Sequence, residues 1–287
     1  MGQQPGFSNL HVAAFESRMS EEMTRLIRKY GGEPSVAPAL REIPLEDNHA
    51  CFDFGTRLLN GELDMVIFLT GVGVRHLMEV LQTRHALASL KQALTRVTIV
   101  VRGPKPIVAL RDLGIAPTIT VPEPNTWREL LEALDQHTNV RGLRIAVQEY
   151  GSSNPELLEG LRQRGAEVVP VPVYRWALPE NISPLLSVLQ RIVAGQIDVV
   201  LITNAAQIDH ILQVLASTDQ VNAFKEALKT TVVASIGPTA SEHLRQHGLP
   251  IDLEPSHPKM GTLVKETSEQ AVTLLAKKRQ SAGKTGA

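Results

Sequence analysis

Cysteine is almost absent from this sequence: Cys51 is the one thiol in 287 residues. No intrachain disulfide and no Cys-rich metal site can form from it, which fits a reducing compartment and leads us to expect a cytoplasmic protein. Aromatic residues supply only 4% of the chain, leaving few rings on which nucleobases would stack. An excess of either charge is missing too, with 29 Lys and Arg against 30 Asp and Glu and a formal net charge of −1. Nothing global draws such a chain to nucleic acid or anionic lipid, so any anion it binds must be held by a local arrangement. The longest apolar run, around Met65 to Val74, is too short to span a bilayer. The opening "MGQQPGFSNLHVAAF" has no basic stretch followed by a continuous apolar one, so no signal peptide is expected. The tail "KKRQSAGKTGA" reads as a frayed basic terminus. Ser–His–Asp sets, HExxH and a nucleophilic cysteine context are also lacking, and neither a metal nor a cofactor is expected. "TGVGVR" (70–75) is neither a dinucleotide fingerprint nor a P-loop.

What the sequence does have is a repetition. Shifted by 134 residues, "LDMVIFLTGVGVRHLMEVL" (63–81) falls on "IDVVLITNAAQIDHILQVL" (197–215), and "GPKPIVALRDLG" (103–114) falls on "GPTASEHLRQHG" (237–248). The same shift, without a gap, lays "RKYGGEPSVAPALRE" (28–42) on "RQRGAEVVPVPVYRW" (162–176). The identities concentrate in Gly, Pro and Arg at turns, as expected of an internal duplication. Each copy reads as a strand, a helix stopped by glycine, a proline-bearing extended stretch, and then helices alternating with short β-branched runs. Strands of that kind between amphipathic helices indicate parallel sheets covered on both faces. The predicted fold class is α/β, with two doubly wound parallel-sheet domains, and the proline-bearing stretches are expected to be edge or connector strands.

Both copies place a hydroxyl or amide where a strand ends and small residues where the next helix begins: Thr70-Gly71-Val72-Gly73 in the first, Thr203-Asn204-Ala205-Ala206-Gln207 in the second. Each copy then has a Gly-Pro turn after its next strand, at Gly103 and at Gly237-Pro238. Proline in a first helical turn sacrifices no helical hydrogen bond, and glycine lets backbone come close to a ligand. Four such helix starts would suit a ligand with many carboxylates; taken singly, each is also ordinary turn chemistry. Asp64 and Asp198 match before the strands and read as caps. His76 and His210 match on the following helices and read as packed or surface residues, and Cys51 reads as core.

These residues resemble the uroporphyrinogen-III synthase family. The matching pieces are "ESRMSEE", "LTGVGVRHL", "RGPKPIVALRDLGI", "VQEYGSSNPEL", "VPVYRW", "LITNAAQI" and "SIGPTASEHLRQHGLPID", spread from His11 to about Val264. Many members read Thr-Ser-x-Asn-Gly at the first turn, where this chain reads Thr70-Gly71-Val72-Gly73. The resemblance implies domains that exchange their opening strand–helix units: residues 1–36 plus 177–287 in one and 45–168 in the other. Connector strands would lie at 36–44 and 168–177. It also implies a linear tetrapyrrole substrate with eight carboxylates, hydroxymethylbilane, cyclised with inversion of ring D and loss of water. The carboxylates would then meet Thr70, Gly71, Val72, Gly73, Gly103, Gly151, Thr203, Asn204, Ala205, Gln207, Gly237, Pro238 and Thr239, with the cations Arg18, Arg75, Arg102, Lys105 and Lys259 nearby. Tyr150, at the end of "IAVQEY", would be the proton donor. The expected setting is a monomer in tetrapyrrole and heme biosynthesis, with the bilane-forming enzyme as a possible upstream partner. The alternative is a protein of the same fold that binds a tetrapyrrole or other polyanion as a sensor, without turnover.

Overall fold

In a computed structural model of the chain, residues 6–45, 47–151 and 153–285 are described, without the side chains of residues 44, 150 and 283–285. The first half runs β1 (His11–Ala14), α1 (Ser20–Lys29), β2 (Glu33–Val36), β3 (Arg41–Pro44), α2 (His49–Leu59), β4 (Met65–Phe68), α3 (Gly71–Gln82), α4 (Leu87–Leu94), β5 (Thr98–Arg102), α5 (Pro104–Asp112), β6 (Ile119–Val121) and α6 (Trp127–His137). The second runs β7 (Arg144–Gly151), α7 (Pro155–Gln163), β8 (Glu167–Ala177), α8 (Ser183–Val193), β9 (Val199–Ile202), α9 (Ala205–Ala216), α10 (Val221–Leu228), β10 (Val232–Ser235), α11 (Pro238–Gln246) and α12 (Met260–Thr285). Among the described residues no helix is long and apolar enough to cross a membrane.

The chain divides into two units, one made of the chain up to Arg41 with Ala177 onward and one of Glu42–Trp176. The first holds a parallel sheet in the order β10-β9-β1-β2. The second holds a sheet in the order β3-β8-β7-β4-β5-β6, parallel from β8 to β6. Four neighbours follow the same succession in both: β10-β9-β1-β2 corresponds to β5-β4-β7-β8. The opening β-α-β of each half thus lies beside later strands of the other half, consistent with a duplication whose opening segments have changed places.

The central strands are buried throughout, "MVIF" in β4 and "VVLI" in β9. Their side chains alternate between two packed layers. Val66 and Phe68 pack with residues of α2, α3, α4 and α5, while Met65 and Ile67 pack with α6 and α7. In the other unit Val200 and Ile202 pack with α8 to α11, while Val199 and Leu201 pack with α1 and α12. Strands covered on both faces cannot show a polar alternation, so they read as short apolar runs in the sequence. Cys51 belongs to the first of these layers, and burial pushes its thiol up to about 11, so it stays an inert thiol at neutral pH.

One expectation is corrected. The 134-residue shift does not hold through the first strand. Met65 pairs with Ile145 and Val199 with Val12; the shift carries Met65 to Val199 but Ile145 to His11. Similarly, Arg144 faces Glu167 and His11 faces Glu33. The strands β1 and β7 therefore correspond at 133 residues, so Glu149 matches Glu16 and Tyr150 matches Ser17. Aliphatic letters tolerate a slip of one, but pairing does not, because one residue turns every side chain to the other face. The proline-bearing stretches take different places in their sheets. The strand β2 is at an edge, but β8 has neighbours on both sides despite Pro170 and Pro172. Residues two apart direct their N–H groups to the same flank, so the two prolines withdraw donors from one ladder only.

Asp64 and Asp198 tie strand starts together. Asp64 Oδ2 accepts from Arg144 N at 2.8 Å and Nε at 3.0 Å, and Asp198 Oδ2 accepts from His11 N at 2.8 Å. The Arg144 side-chain and backbone hydrogen bonds lower the Asp64 pKa below its ordinary 3.8. A carboxyl depressed by folding stabilises the fold fully above its unfolded pKa, and that contribution is lost as pH falls through the lower folded value. Asp64→Asn should therefore lower the melting temperature at neutral pH and flatten its fall below about pH 4. Wild-type and variant curves that stay parallel through the acid limb would remove this role.

Candidate functional site

In a parallel α/β sheet, ligands meet the turns beyond the carboxyl ends of the strands. In the unit of Glu42–Trp176 these turns follow the neighbouring strands β7, β4 and β5. The hydroxyl of Thr70 caps α3 by accepting from Gly73 N at 3.0 Å. The N–H of Thr70 donates to Gln148 Oε1 at 3.3 Å, and Gln148 Nε2 donates to the Glu149 carbonyl. A Cβ on Gly73 would overlap the Gln148 carboxamide, and one on Gly71 would lie 2.5 Å from the Lys105 carbonyl oxygen. These two glycines thus give room to protein atoms, and the turns after β4 and β5 meet through Gly71 and Lys105. Gly151, at φ +62°, leaves room for the Trp176 indole.

The same cap is built differently in the other unit. Asn204 Oδ1 accepts from Ala206 N at 2.9 Å. Gln207 Oε1 accepts from Thr203 N at 2.9 Å and Asn204 N at 3.3 Å. Gln207 Nε2 donates to the Phe15 carbonyl at 3.0 Å and to Thr203 Oγ1 at 2.9 Å. Gln207 corresponds to Gly73, and Gln148 to Phe15. A carboxamide thus meets the backbone N–H of the helix cap at 3.3 Å in both units, delivered by the helix in one and by the neighbouring strand in the other. Gln207 is 1% exposed and its bonds are internal, so it shapes the turn and does not face a ligand.

These caps narrow the expectation of four equivalent helix starts. The helices α3 and α9 carry side-chain caps, whereas α5 and α11, which begin at Gly-Pro, carry none. The α5 start is sparse in donors, because Pro104 and Pro106 lack N–H groups. Its Gly103 sits at φ +85°, a conformation that favours glycine, and its cations are Arg102 and Lys105. In the other unit α11 starts at Gly237, Pro238 and Thr239 against Pro258, which a Cβ on Gly237 would approach to 3.2 Å. Lys259 follows Pro258 in the chain, and Arg18 follows β1, which β9 separates from β10. A helix N-terminus with a nearby base favours an anion.

Other residues singled out in the sequence are engaged locally. Arg75 pairs with Asp112 at 3.6 Å. His76 Nδ1 lies 3.2 Å from Glu79 Oε2, and His210 Nδ1 lies 2.8 Å from the Ala39 carbonyl. Tyr150 falls within β7, and its side chain lies outside the described residues. Two glutamates were not foreseen. The hydroxyl of Ser153 donates to Glu149 Oε1 at 2.6 Å, and that of Thr203 to Glu16 Oε2 at 2.7 Å. The corrected strand register makes them counterparts, a relation that the 134-residue shift hides.

The comparisons with known proteins agree with this architecture. Residues 21–265 match the family described as uroporphyrinogen-III synthase HemD. The uncharacterized protein YjjA of Bacillus subtilis is 28% identical over 265 residues, covering 92% of this chain and 97% of its own. A mutant uroporphyrinogen III synthase from the extremely thermophilic bacterium Thermus thermophilus, solved as a crystal structure, has 26% identity and a TM-score of 0.71, with 92% of this chain and 99% of that one covered. The corresponding enzyme of Helicobacter pylori, at 14% identity and a TM-score of 0.52 over 93% and 99% of the two chains, shares the fold. With its parallel α/β architecture and a family match that extends over most of its length, the chain belongs to the uroporphyrinogen-III synthase family.

Proposed function

We propose that the chain is a uroporphyrinogen-III synthase, a lyase that cyclises hydroxymethylbilane with inversion of ring D. The observation that carries this reading is the pair of uncapped Gly-Pro helix starts, one in each unit. Arg102 and Lys105 flank one start and Lys259, next to Pro258, adjoins the other, while Arg18 follows β1 at the carboxyl end of that same sheet. Propionate and acetate carboxylates are the anions we assign to them. Such contacts orient the chain of pyrroles, and orientation is what the reaction needs, since unassisted closure gives the uninverted isomer.

The chemistry requires no strong acid. The substrate hydroxyl leaves as water with a proton from the Tyr150 phenol, and the electron-rich pyrrole stabilises the resulting azafulvenium cation. Ring D attacks through its substituted α-carbon to give a spiro intermediate. That intermediate fragments and recloses with ring D inverted, and the proton released on closure restores the phenol. The balance is the loss of one water. The upstream partner would be the enzyme that makes the bilane, and the acting species a monomer.

A sensor could be read from the unusual Gly71-Val72-Gly73 turn, but the packing of Gly71 against Lys105 and of Gly73 against Gln148 accounts for that turn without a ligand. The deciding experiment supplies freshly made hydroxymethylbilane, oxidises the products and separates the type I and type III isomers. Type III formed in proportion to protein supports the enzyme. Saturable bilane binding with only type I product would establish the sensor instead.

A further inference from the structure

Away from the turns, one cluster of metal-ligating side chains is assembled from two helices of a single unit. Asp209 leaves α9 one turn after its start, while His243 leaves α11 and His247 follows at its C-terminal end. The two histidines are four residues apart, so their imidazoles share one helical face. His243 Nε2 lies 2.7 Å from Asp209 Oδ1, and His247 Nε2 lies 3.4 Å from the same oxygen. One ligand atom from each residue falls within 4.8 Å of the others, and the two rings meet edge to face at 4.8 Å. His243 directs its other nitrogen at Gln246 Oε1, 3.2 Å away, an outer contact of the kind that orients a metal-binding imidazole.

The corresponding helices of the other unit show what simple bridging looks like. The 134-residue shift carries Asp209 to Arg75, His243 to Ala109 and His247 to Leu113. There Arg75 on α3 pairs with Asp112 on α5 at 3.6 Å. Where that unit uses one cation and one anion, this one aims two imidazoles at a single carboxylate oxygen. One imidazole would suffice for an ion pair. Two converging on one oxygen with their side chains 25% and 36% exposed are a donor set open to an ion from solvent.

We propose that Asp209, His243 and His247 bind a divalent transition-metal ion of the zinc class, through two Nε2 atoms and one carboxylate oxygen. Donors at about 2.0–2.2 Å from such an ion stand about 3.0–3.5 Å from one another, close to the separations from Asp209 Oδ1 already present. Imidazole donors select zinc, nickel, cobalt or copper over magnesium and calcium, which take oxygen ligands. Water completes the coordination. The bound ion clips α9 to α11, the helices that carry the Asn204 cap and the Gly237-Pro238 start, so it stabilises this side of the candidate site without touching the substrate.

The test uses the full chain without a histidine tag, stripped with a chelator and dialysed, then titrated with Zn²⁺ by calorimetry. We expect one saturable equivalent and a rise in melting temperature with the ion. Co²⁺ in place of Zn²⁺ should give visible absorption bands. His243→Ala, His247→Ala and Asp209→Asn should each weaken Zn²⁺ binding at least about tenfold, whereas His76→Ala should leave it unchanged. Affinity should fall with acidification as the imidazoles take up protons. Absence of saturable binding overturns the proposal, and so does undiminished one-to-one binding in the His243→Ala/His247→Ala double variant. The readouts do not depend on bilane turnover, so failure here leaves the proposed reaction standing and the converse also holds.

Discussion

The double variant Gly73→Gln/Gln148→Ala is expected to recover most of the stability that either change alone removes. A side chain at position 73 overlaps the Gln148 carboxamide, and forcing bulk into a packed site costs about 1–3 kcal/mol. Gln148→Ala withdraws the acceptor of the Thr70 N–H from a part-buried bond, and a donor left without a partner costs up to about 1–3 kcal/mol. Together the substitutions rebuild the arrangement of the other unit, where Gln207 reaches the Asn204 N–H from the helix itself. Urea unfolding of the four proteins gives the coupling directly. We expect a favourable interaction of at least about 1 kcal/mol, within the range found for residues in contact. Strictly additive losses would mean that the two carboxamides are not interchangeable.

Tyr150→Phe should lower kcat about ten- to a thousand-fold, the loss expected when a positioned proton donor is removed. KM should move little, because the carboxylates are held elsewhere. Type III should remain the main enzymatic product, since inversion depends on how the pyrroles are held. Single-turnover measurements with fresh bilane separate the chemical step from release. Undiminished turnover in this variant would leave the phenol without a chemical role and reduce catalysis to orientation. Gly73→Asp differs in kind: its side chain meets Gln148, so its first effect is on stability.

Much of the architecture was legible because local chemistry dictates it. Runs such as "MVIF" and "VVLI" have no place except between two apolar layers, and Thr70 and Asn204 announce helix starts by what their side chains can accept. Three features escaped for one shared reason, namely that they depend on partners far away in the chain. Gln148 meets Thr70 across 78 residues, and nothing near either position signals the bond. The register of β1 against β9 appears only when the strands pair. The Asp209 cluster needs α9 and α11 packed side by side, and His243 and His247 read singly are ordinary helix residues. At the candidate site, the sequence could name turns and bases, but it could not tell a glycine that makes room for a ligand from one that makes room for Gln148.

The order of strands also sets an order of events during synthesis. The sheet β3-β8-β7-β4-β5-β6 belongs to one uninterrupted stretch, Glu42–Trp176, so its partners leave the ribosome in succession. The sheet β10-β9-β1-β2 joins the first strand made to strands that begin at Val199 and Val232. Until those residues emerge, β1 has β2 on one flank and an open edge on the other, a ready template for wrong pairing. Nascent chains of this topology therefore carry an unfinished β1-α1-β2 segment through most of translation, and they have the most to gain from a chaperone that shields a strand edge at that stage.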